Sequence, residues 1–234
     1  MNLCRTWLEA TCELLENFGS NGKLILNKLN ALTQGLDMHL LMTLLLAHLF
    51  ADFPLQTNAL AKLKDKHFEG VFYHVLIHMA ITALLIRDSQ QYWLLIVGLG
   101  IVHFVIDALK ILLPFKKGVW YFLADQFVHL ISLVLATYLA QRLWYPAPVG
   151  ILPDKWLVMV LSGALVPAVM VLFWVWTSTL NPEYVTRSLL LCWTKQRLLL
   201  IEQRVGLALI SVVFARPAFY WVYSLADMVR VIWK

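Results

Sequence analysis

The chain has 234 residues, 61% of them hydrophobic, 13% aromatic and only 14% charged, with a mean hydropathy of +0.72. Its 33 charged side chains (19 Lys and Arg, 14 Asp and Glu) are too few to cover a soluble exterior, so composition points to an all-α, polytopic helical membrane protein and excludes disorder. The net charge of +5 is spread over short loops and forms no aromatic-interleaved basic stripe, which argues against a nucleic-acid partner, and Cys4, Cys12 and Cys192 make neither a CxxC pair nor a complete disulfide set.

Residues 1–37 read as an amino-terminal amphipathic segment. Leu3, Trp7, Leu14 and Phe18 recur at helical spacing with Glu9, Glu13 and Glu16 elsewhere, which suits an interfacial helix or, equally, a soluble capping helix. The glutamates interrupt the apolar centre that a cleavable signal peptide needs. GSNG at 19–22 breaks the pattern and lacks the spacing of a phosphate loop.

Apolar runs follow at 38–53, 71–86, 92–113, 119–141, 156–180, 198–215 and 217–233. A full span takes about 20 residues, so the third to fifth runs qualify while the first two are short enough to be tilted or only partly inserted. Five to seven spans fit. Pro167 lies inside the fifth run and predicts a kink. The expected organisation is a four-helix core at 38–143 with polar residues at its centre, then Trp-rich carboxy-terminal membrane helices at 144–234, which carry seven of the ten tryptophans. Those helices also offer a docking surface for a second copy or a partner membrane subunit, and the Arg187–Arg204 stretch suits contact with anionic membrane lipid or a cytoplasmic connector. Lys62, Lys64, Lys66, Lys116, Lys117, Arg187, Lys195 and Arg197 occupy alternate loops, against Arg87, Arg142 and Lys155 on the other side, which places the first set in the cytoplasm. Arg5, Lys23 and Lys28 fit that topology only if the first run is re-entrant.

Three histidines pair with an aspartate four residues away inside apolar runs: His48 with Asp52, His103 with Asp107, and His129 with Asp125. About 0.8 such pairs are expected by chance, so the excess alone is weak. Energy says more. An aspartate at mid-membrane costs about 2.5 to 3.5 kcal/mol, and three such residues demand compensation. Residues four apart on a helix share a face, and because successive helices alternate in direction, all three pairs and the HVLIH segment (His74, His78) fall towards one leaflet. His48, Asp52, His78, His103, Asp107, Asp125 and His129 are therefore the candidate ligands of one or two divalent ions (Zn, Fe or Mn), with surplus donors orienting the ligands or bridging two ions. A proton or ion relay and inert helix packing are the competing readings. Gln56, Lys62, Lys64 and Lys110 lie at the same ends and could hold an anionic head group. His39 and His67 read as ordinary interfacial or loop residues.

The segments LLLAHLFADFPLQTNALAKLK, HVLIH, IVHFVIDALK and FLADQFVHL, spanning about 40–140, together resemble an uncharacterised bacterial integral-membrane family, domain of unknown function 3307. The resemblance bears on His48, Asp52, Gln56, Lys62, His74, His78, His103, Asp107, Lys110, Asp125 and His129 and implies no reaction. It makes the bacterial inner membrane the expected location. The histidine boxes of membrane di-iron enzymes, HExxH and GxSxG are absent. The leading expectation is metal-assisted hydrolysis of a membrane-associated substrate, with Asp52, Asp107 and His129 as catalytic residues. The alternatives are a metal-ion or proton transporter and a non-catalytic membrane scaffold.

Overall fold

A computed structural model describes residues 35–113, 118–178, 205–206 and 208–213. The amino-terminal amphipathic segment, most of the last two apolar runs and the Arg187–Arg204 stretch lie outside these residues. The described chain is helical: α1 (Met38–Asp52), α2 (Asn58–Lys64), α3 (Phe68–Leu85), a 3-10 turn (Ser89–Tyr92), α4 (Trp93–Leu112), α5 (Val119–Leu143) and α6 (Asp154–Ser178). The five apolar runs up to residue 180 all appear as helices. The segment 54–70, expected as a loop, contains the short helix α2.

Helices α3, α4 and α5 each show one face to their neighbours. The buried residues of α3 are Gly70, Val71, His74, Val75, His78 and Thr82, and those of α5 are His129, Leu133, Thr137 and Ala140, both at the three-and-four spacing of a single stripe. The opposite faces expose Phe72 and Leu76 on α3, Ile101 and Val105 on α4, and Phe127 and Ile131 on α5. The helices are thus apolar outward and polar inward, the reverse of a soluble bundle, as a lipid surround requires. Buried hydroxyls are satisfied within their own helices: Thr82 donates to the His78 carbonyl at 2.8 Å and Thr137 to the Leu133 carbonyl at 2.9 Å.

Helix α1 is the centre of the arrangement. It packs against α3, α5 and α6, while α4 closes a ring between α3 and α5. Asp37 caps its start, accepting from the amides of His39 and Leu40 at 2.9 and 3.1 Å. Its 15 residues give a length of about 22 Å, short of the roughly 30 Å of bilayer hydrocarbon. Among the described residues, four other helical segments, Phe68–Leu85, Ser89–Leu112, Val119–Leu143 and Asp154–Trp176, are long and apolar enough to cross a membrane. Because lipid is as apolar as leucine, close packing and polar contacts hold such helices together, and small residues such as Ala47, Ala51, Ala140 and Ala164 bring the backbones near one another.

The two ends of the bundle differ. At one end the Arg87 amide donates to the Val149 carbonyl (2.8 Å), the Ile151 amide to the Leu85 carbonyl (2.9 Å) and the Tyr92 hydroxyl to the Pro146 carbonyl (3.0 Å). His39 has its Nε2 2.9 Å from the Leu152 carbonyl, so it ties α1 to the segment that leads into α6. At the other end lie the carboxy-terminal halves of α1 and α4, the amino-terminal halves of α3 and α5, and α2. Although α6 belongs to the carboxy-terminal segment, it packs along α1, with Leu157 and Ala164 buried against Leu46, Leu49 and Phe53, and continues past Pro167. Beyond that proline, Val171 and Trp174 line a cavity at the α2 end of the bundle.

Candidate metal centre

Five imidazoles from four helices meet in the bundle interior: His48 from α1, His74 and His78 from α3, His103 from α4 and His129 from α5. Ring centroids of His78 and His103 are 3.9 Å apart, those of His103 and His129 4.2 Å, and those of His48 and His129 5.0 Å. All five rings are buried, His74 completely and His129 to 1% exposure. Counted along its helix, His129 lies about 15 Å beyond the start of α5 and His74 about 9 Å beyond the start of α3, within segments suited to span a membrane.

The carboxylates sit among these rings. Asp52 Oδ1 lies 3.0 Å from His74 Nε2 and 2.9 Å from His78 Nε2, and those two nitrogens are 3.2 Å apart. Asp107 lies between His103 (Nε2 to Oδ2, 3.5 Å) and His129 (Nε2 to Oδ1, 3.4 Å), and His129 Nε2 is also 3.4 Å from Asp125 Oδ1. Each of these contacts uses Nε2, so the rings turn the same atom inward. Two groups with no shared residue result: Asp52, His74, His78 and His103, and Asp107, Asp125 and His129. Within each, one potential ligand atom per residue lies within 4.8 Å of all the others. A third group, His48, His103 and His129, overlaps both.

Hydrogen bonding leaves part of the cluster unmet. His103 Nε2, His129 Nε2 and Asp107 Oδ2 are buried without a hydrogen-bond partner, despite being within 3.5 Å of oppositely suited groups. Buried polar atoms are almost always bonded, so several convergent unbonded donors suit a cation held between them. Neutral imidazole and carboxylate are the ligands that Zn, Fe and Mn favour, and coordination offsets the burial of charge. The Nδ1 atoms of His74 and His129 also have no hydrogen-bond partner, so packing rather than a second hydrogen bond sets those rings.

Two lysines supply positive charge. Lys110 makes close ion pairs with Asp107 and Asp125. Lys64, the last residue of α2, brings Nζ to 3.7 Å from Asp107 Oδ2 and 3.2 Å from His74 Nε2. Gly70 makes this possible: a Cβ there would overlap the backbone of Leu63 and Lys64, so only glycine lets α2 lie this close to α3.

The cluster borders a cavity of about 500 Å³ at the α2 end, lined by Asp52, Gln56, Lys62, Lys64, Asp107, Lys110, Tyr121, Asp125 and Gln126, with Phe53, Phe122, Val171 and Trp174 as its apolar part. On the other side of the rings is a void of about 30 Å³, room for a water or two, with Leu44, Ile96, Leu99 and Leu133 in its walls.

All seven expected ligands are therefore brought together, and Gln56, Lys62, Lys64 and Lys110 line one cavity beside them. Two participants escape the pairing criterion. His74 has no aspartate four residues away, and its signal is the HxxxH spacing that puts it on the face of His78. Gln126 contacts Asp52 Oδ2 through Nε2 (3.3 Å) and His48 Nε2 through Oε1 (3.4 Å). It follows Asp125 directly, and no helical spacing marks it.

Residues 40–151 match a family described as protein of unknown function (DUF3307), the family that the His, Asp, Gln and Lys series resembles. No curated protein and no solved structure matches the chain.

Proposed function

We propose that this protein is a membrane-embedded hydrolase that holds two divalent cations in the His/Asp cluster, with its cavity open to the cytoplasmic side of the bacterial inner membrane. The observation that carries this reading is the pair of non-overlapping ligand groups beside one large cavity. Asp52, His74, His78 and His103 would hold one ion, and Asp107, Asp125 and His129 the other. Zn, Fe and Mn suit these donors. Bound there, such cations supply Lewis acidity and make water a nucleophile near neutral pH.

The chain's own groups set the remaining roles. The side chains of Asp52, Asp107 and His129 are the more deeply buried, at 7%, 3% and 2% exposure, and in this reading serve as ligands. The Asp125 side chain is more open, at 14%, and lines the cavity. With one carboxylate oxygen holding the ion, its other oxygen would take a proton from the attacking water and return it to the leaving oxygen, so that water adds across the cleaved ester bond. Gln126 holds Asp52 and His48 in place. The 500 Å³ cavity gives a membrane-associated substrate a way to the cluster, whereas the void on the other side, at about 30 Å³, has room only for water.

Purified, zinc-loaded protein in liposomes enclosing a zinc-sensitive dye tests this reading. A hydrolase keeps its zinc through gel filtration and gives no dye signal above protein-free vesicles. It also releases fragments from a total-lipid extract only when zinc is bound, and loses that release in Asp125→Asn. A protein-dependent flow of zinc into the vesicles would replace the hydrolase with a transporter.

A further inference from the structure

The two lysines occupy the positions that a metal would contest. Lys110 pairs with Asp107 and Asp125, the two carboxylates of one ligand group. Lys64 reaches His74 Nε2, the inward ring atom of the other group. A carboxylate oxygen or ring nitrogen held by an ammonium is not available to a cation in the same place. Lysine and metal therefore exclude each other at these contacts.

Metal binding also changes the charge balance of the cluster. With neutral imidazoles, the three carboxylates outnumber the two ammoniums by one formal charge. Two divalent cations would add four positive charges and leave an excess of three in a largely apolar surround, which is unstable without an anion. Both lysines are on long flexible stems, are 17% and 24% exposed at the side chain, and already line the 500 Å³ cavity together with Lys62. The same cavity has an apolar flank made by Phe122, Val171 and Trp174.

We propose that Lys64 and Lys110 are resident counter-cations displaced by divalent metal, and that the released ammoniums turn the cavity into a binding site for a phosphate-bearing group. The inference rests on the two-metal hydrolase reading and names the substrate class of that site. A multiply charged phosphate, carried by a lipid head group or free in solution, is the anion that answers this excess of three positive charges, to which Lys62 and Asp65 in the same lining add one charge of each sign.

The experiment uses the full-length protein in detergent and titrates Zn²⁺ and inorganic phosphate calorimetrically. Zn²⁺ is expected to bind Lys64→Met and Lys110→Met about tenfold more tightly than wild type, since each variant lacks a competitor. Wild type is expected to bind phosphate at least about tenfold more tightly with Zn²⁺ than without, with the reciprocal gain for Zn²⁺, and the Met variants to lose most of that coupling. Lys110→Arg, which keeps the charge, retains it in part. Dihexanoyl phosphatidic acid separates the sources: tighter binding than inorganic phosphate assigns a lipid head group, equal binding a soluble phosphate. If Zn²⁺ binds wild type but both Met variants bind it equally or more weakly, or if phosphate ignores Zn²⁺, the lysine exchange is wrong while the metal site stands. If wild type binds no Zn²⁺, both readings fall.

Discussion

Asp107 gathers more of the cluster's charge than any other residue: His103, His129, Lys64 and Lys110 all approach it, and it is 3% exposed. Removing one partner from a buried ionic network leaves the others uncompensated, at a cost of about 3 to 5 kcal/mol. Asp107→Asn keeps the shape and removes the charge, so metal-free protein carrying it should melt well below wild type in the same detergent, whereas an unchanged melting temperature would place Asp107 outside the network. The place of Asp107 among polar partners was legible in the sequence, because an aspartate one turn from a histidine within an apolar run is costly unless something compensates it. His74 was less so. Its carboxylate partner, Asp52, is 22 positions away on another helix, and no local spacing reports a contact of that kind. Lys64 and Lys110 were visible as basic residues at the right ends, but their pairing with the carboxylates is set by how α2 and α4 pack.

Among the elements, α1 and α2 depart most from the simple picture of spanning helices. The first apolar run looked short, and its shortness is real, yet α1 is the most enclosed helix because three others surround it. Helix α2 has seven residues and no buried one, so it carries no hydrophobic stripe to announce it; Thr57 caps it by accepting from the Leu60 amide at 3.1 Å. Its position depends on Gly70. Gly70→Ala sets a methyl group against the Lys64 backbone, with the Cα 2.7 Å away, and should destabilise the protein by about 1 to 3 kcal/mol while displacing Lys62 and Lys64 from the cavity. Gly100→Ala meets the Met79 side chain at 2.7 and 2.9 Å, which can rotate aside, and makes ordinary contact with Val75 Cγ1 at 3.4 Å, and alanine favours the helix; its effect should stay within about 1 kcal/mol. Thermal melts of the two variants side by side check the contrast, and equal losses would mean that α2 does not sit as described.

For the whole molecule, the arrangement answers a single cost. Lipid-facing surfaces of α3, α4 and α5 are apolar, and the polar side chains that such helices should avoid are gathered where they face one another. The alternation of helix direction made this convergence foreseeable, because His48, His78, His103 and His129 fall at the same depth only if each run reverses the last. The placement of α6 was not foreseeable: between Trp156 and Trp176 its only polar side chain is Ser162, and nothing in it marks the face that lies on α1 or the contribution of Val171 and Trp174 to the cavity. Elemental analysis of detergent-purified wild type beside Asp52→Ala and Asp107→Ala tests the central claim most directly. About two divalent ions per chain in wild type and about one in each variant is the result predicted from two separate ligand groups. Trace metal in all three samples would contradict it.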